Sequence, residues 1–294
     1  LVLSNPLWLQ LHEQHRFVTR RERARNKVGL VSGGGSGHEP LHAGFVGEGM
    51  LDVAVAGAVF ASPTALQVLE ATKAADAGHG VVQIVKNYTG DVLNFRIAGE
   101  ISGDDQVETE MVLVDDDLAT DTGDEAGPGR RGTAATVIVE KLCGAAAEAG
   151  ASLAEVADIG RRAASRARTM SLALSAGTHP GDDEPQFTLE DDEVELGVGI
   201  HGERAPERVP FTDADGLVEL LVEPLRAELD LHRGEEVLAI VNGLGGTYPL
   251  ELNLAYRALH HRLADSGISI VRRLVGSYVT SLDMHGISIT LMPI

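Results

Sequence analysis

The chain of 294 residues has a single cysteine, four lysines among its 24 basic residues, and only 11 phenylalanine, tryptophan and tyrosine residues. Each scarcity excludes something. Cys143 has no partner for an internal disulfide, and its place in the helical pattern Ala135–Gly150 reads as a buried, inert thiol rather than a nucleophile. The 44 Asp and Glu leave a net charge of −20, which argues against a general binder of DNA, RNA or anionic membrane, since such proteins need a basic surface. No apolar run approaches the roughly 18 residues of a membrane span; the longest lies around Val53–Ala61. Leu1–Gln10 has no basic segment followed by a long apolar one, so it is no signal peptide, and a start at Leu rather than Met implies that the true N-terminus is missing. The expected location is cytoplasmic. The apolar fraction of 44% is ordinary, so the acidity describes a charged surface over a normal core, as expected of a protein kept soluble in concentrated salt.

What is present is an alternation of short strands and helices. Lys27–Ser32, Leu51–Ala56, Gly80–Val85 and Glu110–Asp115 read as buried strands, with a helix over Pro63–Ala77 capped by Ser62. Asp115–Arg131 reads as an acidic surface loop, followed by helices at Thr133–Ala149 and Leu153–Ser171. Composition turns polar and acidic at Ser175–Asp192. Beyond it strands are expected at Glu193–Gly199, Glu236–Val241, Ile268–Val275 and Gly286–Met292, with helices at Asp213–Leu231 and Leu250–Asp265. The pattern predicts two α/β domains, residues 1–174 and 175–294, each a mainly parallel or mixed sheet flanked by helices.

Four segments carry candidate chemistry. Ser32–Pro40 (SGGGSGHEP) follows a strand, and its glycines either let the backbone approach a ligand or make a tight turn with an exposed His38. It is not a P-loop, because His-Glu-Pro stands where Gly-Lys-Ser/Thr is required. Lys86 and Asp91 lie on a short polar segment just past a buried strand, where ligands collect in parallel sheets; by themselves they read more readily as a local ion pair or an Asx turn. His201 sits between glycines in ELGVGIHGER, facing a cavity or simply packed. Asn242–Pro249 (NGLGGTYP) is a second ligand-lining loop or a helix-entry turn. The remaining histidines, His42 among them, show no metal-ligand spacing, so no metal site is expected.

Taken in order, SGGGSGHEPLHAGFVGEGM, VKNYTGDVLNF, GIHGE and NGLGGTYPLEL resemble dihydroxyacetone kinases, and more narrowly their substrate-binding K subunit or domain, over about Phe17 to Met292. The resemblance implies a cytoplasmic homodimer that binds dihydroxyacetone covalently through a histidine and binds no nucleotide itself. His201 matches the histidine that adds to the ketone to give a hemiaminal. His38 and Asp91 match the residues that hydrogen-bond substrate hydroxyls and move protons. Gly35, Ser62 and Lys86 match further substrate contacts. ADP and Mg are expected on a separate L subunit, rephosphorylated by a phosphotransferase-system M protein, because the chain ends where the K domain ends. The alternatives are the K domain of a single-chain ATP-dependent kinase for dihydroxyacetone or erythrulose, and a non-catalytic ketose sensor that acts on a transcription regulator.

The residue types suit that chemistry. A neutral imidazole, with an ordinary pKa near ~6.5, adds reversibly to a ketone, which separates dihydroxyacetone from glycerol. Packing alone would separate such similar polyols by only ~1–3 kcal/mol. Phosphoryl transfer then needs a carboxylate such as Asp91 to accept the hydroxyl proton.

Overall fold

Runs of valine, isoleucine and leucine with both faces apolar belong in the middle of a sheet covered by helices. The computed structural model describes residues 1–22, 25–121, 129–204 and 207–294 and places these runs accordingly. The chain packs as two compact units, one of Leu1–Asp115 with Thr136–Ser165 and one of Asp116–Ala135 with Arg166–Ile294. The sequence expectation of a single boundary at residue 174 differs from this division, because the chain crosses between the units three times.

The first unit contains β1 (Leu9–His12), β2 (Phe17–Arg20), β3 (Gly29–Ser36), β4 (Val53–Val59), α1 (Ala65–Ala75), β5 (Val81–Lys86), α2 (Thr89–Asp104), β6 (Thr109–Val114), α3 (Ala135–Glu148) and α4 (Leu153–Arg166). Its sheet runs β1-β2-β4-β3-β5-β6; β4, β3, β5 and β6 are parallel, and the β1–β2 hairpin adds antiparallel at β4. Ala71 and Ala75 of α1 pack on Val31, Val53, Val55 and Val81, while Phe95 and Ala98 of α2 pack with Val68, Leu69 and Val85. The helix expected from Pro63 starts later, at Ala65: Thr64, not Ser62, is the N-cap, in a capping box with Gln67. That leaves the Ser62 side chain outside the helix. Gly160 lies so close to Cys143 that a Cβ there would come within 2.7 Å of its Sγ. The thiol is buried, and burial, with Glu140 beside it, pushes it up to about 12, as suits an inert group.

The second unit contains β7 (Arg168–Ser175), β8 (Glu193–Leu196), β9 (Glu207–Pro210), α5 (Ala214–Glu228), β10 (Glu236–Gly243), α6 (Pro249–Asp265), β11 (Ser269–Gly276) and β12 (His285–Pro293). Its order is β11-β10-β12-β7-β8-β9, and only β10 and β11 are parallel. This second sheet is therefore mixed and mostly antiparallel. Leu217, Leu221 and Leu225 of α5 and Leu252, Leu259 and Leu263 of α6 bury their apolar stripes on Leu172, Val237, Val241 and Ile289. The helix expected to run to Ser171 ends at Arg166, because Thr169–Ala173 is buried throughout and pairs between β12 and β8. The acidic loop expected at Asp115–Arg131 is not all surface. Asp116 is buried and accepts from Thr133 N, Thr133 Oγ1 and Ala135 N, and Asp117 is buried against Arg131; residues 122–128 lie outside the described residues.

Candidate functional site

In parallel sheets the strand ends that point toward the following helices collect polar groups, and β3 and β5 of the first unit both end in them. The glycines of SGGGSG were open to two readings, and the structure selects close approach. Gly33, Gly34 and Gly35 are the last part of strand β3, not a turn; among the glycines of this run only Gly37, with φ 104°, needs the left-handed region. A Cβ on Gly34 would collide with Lys86 Nζ and lie 3.5 Å from both Asp91 Oδ2 and His42 Nε2. A Cβ on Gly35 would stand 2.7 Å from the backbone nitrogen of Ala61. The strand is stripped of side chains so that others can cross it.

Lys86 and Asp91 are not on a loop, as their sequence context suggested. Lys86 is the last residue of β5 and Asp91 lies in the first turn of α2, where the helix dipole favours a carboxylate. Both are buried, with Lys86 Nζ 3.8 Å from Asp91 Oδ2 and 3.4 Å from the carbonyl of Gly33. Asp91 Oδ1 is buried and has no hydrogen-bond partner among the described residues. Such an acceptor is costly unless something else donates to it. Burial lowers Lys86 from the usual lysine range, and the charges of Asp91 and Glu140 work against that fall.

The other first-unit candidates gather around this pair. His38 is buried and stacks on Phe60, with ring centroids 5.0 Å apart. Ser62 reaches the start of α2: a Cβ on Gly90 would meet its Oγ at 2.7 Å, and the neighbouring Pro63 carbonyl accepts from Asn94 Nδ2. Two further residues went unrecognised in the sequence. His42 is buried, with Nε2 2.8 Å from Lys86 Nζ and Nδ1 2.7 Å from Glu140 Oε1. Burial, then the charges of Lys86 and His38, hold the His42 imidazole well below its ordinary value. Glu140 was legible in principle, as a lone carboxylate inside the apolar helical run ATVIVEKL. Burial pushes it up to about 8, with the charge of Lys86 pulling the other way.

His201 belongs to the second unit and is half-buried. Its Nδ1 lies 3.0 Å from Glu203 Oε1, and its backbone nitrogen donates to Glu203 Oε2 at 2.9 Å. A carboxylate only accepts, so the neutral ring carries its proton on Nδ1 and keeps a lone pair on Nε2. Burial opposes ionisation of Glu203, but the His201 hydrogen bond and charge, together with Arg131, hold it down at about 2. Gly202, at φ 74°, makes the turn that brings Glu203 back onto the histidine. Glu203 was not singled out in the sequence, although its spacing two residues after a glycine-flanked histidine was the available signal. The NGLGGTYP segment is the helix-entry turn: Tyr248 N donates to Glu251 at the start of α6.

Comparison with known proteins places the whole chain in one family. The model of the Dak1 domain matches residues 1–294. A dihydroxyacetone-binding subunit of a PTS-dependent dihydroxyacetone kinase from Listeria innocua is 46% identical over 280 residues, which is 95% of this chain and 85% of the subunit. Among solved structures, a dihydroxyacetone kinase operon co-activator superposes with a TM-score of 0.94 at 31% identity, covering 99% of this chain and 90% of its own. The dihydroxyacetone kinase of C. freundii, in complex with AMP-PNP and Mg2+, superposes with a TM-score of 0.90 at 37% identity over 99% of this chain and 53% of its own.

Proposed function

Since the chain belongs to the Dak1 domain family, we propose that it is the dihydroxyacetone-binding subunit of a dihydroxyacetone kinase and that it holds the ketose on His201 as a covalent hemiaminal. The observation that carries this reading is the His201–Glu203 contact, because it leaves the nucleophilic lone pair on Nε2. In the proposed step, Nε2 adds to the carbonyl carbon, the C=O electron pair moves to oxygen, and His38 supplies the proton that neutralises it. The ring retains its Nδ1 proton and becomes cationic, and the ionised Glu203 stabilises that charge as it forms. Asp91 then takes the proton of the terminal hydroxyl as that oxygen attacks phosphorus, with Lys86 fixing the carboxylate, and Gly35 and Ser62 lining the substrate.

The phosphoryl donor in this reading is the L subunit's ADP once a phosphotransferase-system M protein has rephosphorylated it, with ADP as the leaving group and nucleotide and Mg on that partner rather than on this chain. The 46% identity to a PTS-dependent subunit supports it. The subunit acts as a cytoplasmic homodimer with no direct role for nucleic acid. The close superposition on an operon co-activator favours a second reading, a ketose sensor, and turnover separates the two.

The test is the carbon-13 spectrum of dihydroxyacetone labelled at its carbonyl carbon. With the wild-type chain the carbonyl signal gives way to a protein-bound tetrahedral carbon, and with His201→Ala it does not. A bound tetrahedral signal that survives in His201→Ala overturns the assignment. Phosphate transfer to the ketose with L subunit and M protein, and none with ATP alone, identifies the donor.

A further inference from the structure

Four side chains in the first unit form a hydrogen-bonded chain whose direction is set by one hydroxyl. Ser32 Oγ donates its single proton to the carbonyl of Ile84 at 2.7 Å. Toward the His42 ring, 3.0 Å away, the serine oxygen therefore only accepts, so the proton of the neutral imidazole sits on Nδ1. That same proton points at Glu140 Oε1, 2.7 Å away. His42 Nε2 is then left as an acceptor, and the group 2.8 Å from it is Lys86 Nζ. Every short contact in the series has one donor and one acceptor, and it runs from the lysine that flanks Asp91 to a carboxylate on α3. Lys86, His42 and Glu140 are buried, so water does not stand in for a missing partner.

We propose that Glu140 and His42 are positioning residues for Lys86, anchoring its ammonium beside Asp91 through a directed chain of hydrogen bonds that begins at a buried carboxylate. The inference rests on the functional reading above for what Lys86 does, but not for how it is held. An ammonium on a long flexible stem has many rotamers, and the imidazole acceptor, the Gly33 carbonyl and the Asp91 carboxylate select one. The charged groups bearing on Lys86 are Asp91 from α2 and Glu140 from α3, both of which favour the ammonium; His38 and Lys86 bear on His42. Once ionised, above about 8, Glu140 is therefore a distant counter-charge for Lys86, transmitted through a ring whose tautomer it helps to fix. Its second oxygen, Oε2, is buried without a hydrogen-bond partner among the described residues, so Oε1 alone serves the chain.

With four lysines in the chain, the amine can be watched directly. The full-length protein is labelled with carbon-13 at the lysine ε-carbons and titrated without ketose, the Lys86 signal being identified by its loss in Lys86→Arg. In Glu140→Gln the Lys86 midpoint falls by about half a pH unit or more, because one of its two stabilising negative charges is gone. The alkaline limb of kcat in the reconstituted kinase falls by the same amount, a change that loosened packing alone would not produce. Equal midpoints in the two proteins overturn the proposal. If Glu140→Gln does not fold, nitrogen-15 spectra of the wild-type imidazoles decide: a His42 proton on Nδ1 supports the chain, and one on Nε2 overturns it. These measurements need no substrate, so they stand apart from the ketose reading, whose failure would show instead as a missing His201 adduct.

Discussion

At the scale of single residues, the proposed function gives two separate duties to residues of the two units. Under the proposed function His201, with Nδ1 against Glu203, serves as the nucleophile, and Asp91 serves as the acceptor, with one buried oxygen near Lys86 and the other without a hydrogen-bond partner among the described residues. Replacing Asp91 by Asn keeps the shape and removes the basicity. Under the proposed function, Asp91→Asn retains the carbon-13 adduct and loses turnover by ~10²–10⁴-fold, the usual contribution of a general base. Loss of the adduct together with turnover would show that Asp91 binds the ketose rather than moving its proton. The six candidates read from the sequence all fall in structured parts of the chain, yet their supports did not show there. Glu140 meets His42 across 98 positions, and such pairings depend on how the segment after β3 packs against α3, which no local pattern records. His42 lacks metal-ligand spacing in the sequence, and its partners in the structure are a lysine, a serine and a glutamate.

At the scale of elements, most strands of the first unit were legible because buried parallel strands are short aliphatic runs. Helix α2 was not, because Thr-Gly-Asp at its start resembles a turn and only Asp91, Phe95, Ala98 and Ser102 are buried along it. The limit of β7 was hidden for the opposite reason. A central strand covered on both faces has no alternation, and its apolar run continues the pattern of the helix before it. Strand β3 shows what glycine does when it is not making a turn. Gly34→Ala drives a methyl into Lys86 Nζ, within reach of Asp91 and His42. The expected outcome is a loss of roughly 1–3 kcal/mol in chemical unfolding, the ordinary cost of an overpacked site. Turnover should disappear while the far-ultraviolet circular dichroism stays that of the wild type. A Gly34→Ala enzyme with wild-type turnover would mean that Lys86 relaxes freely, against the anchored lysine inferred above.

At the scale of the whole molecule, the scarcity of lysine and the excess of acid belong together. Two of the four lysines, Lys27 and Lys86, are buried beside carboxylates, so the exposed surface relies on arginine for positive charge. Arginine's forked donors let one cation hold two acids. Arg20 pairs with Asp52 and Glu148, Arg208 with Glu193 and Glu195, and Arg262 with Glu219 and Glu223. Even so, the net charge of −20 leaves many carboxylates uncompensated, and Asp182, Asp183, Glu184, Glu190, Asp191 and Asp192 are exposed in one short stretch. Like charges crowded on a folded surface destabilise it relative to the expanded chain, and salt screens them over about 10 Å at 0.1 M and about 3 Å at 1 M. The thermal midpoint should therefore rise as sodium chloride is added from a few millimolar, steeply at first and then levelling as the screening length falls below the spacing of the carboxylates. The exposed Arg262 cluster should oppose this rise only slightly, since exposed pairs contribute about 0–1 kcal/mol each. A midpoint indifferent to chloride would show that the acidic surface carries no net repulsive cost. In that case the composition could not be read as an adaptation to concentrated salt.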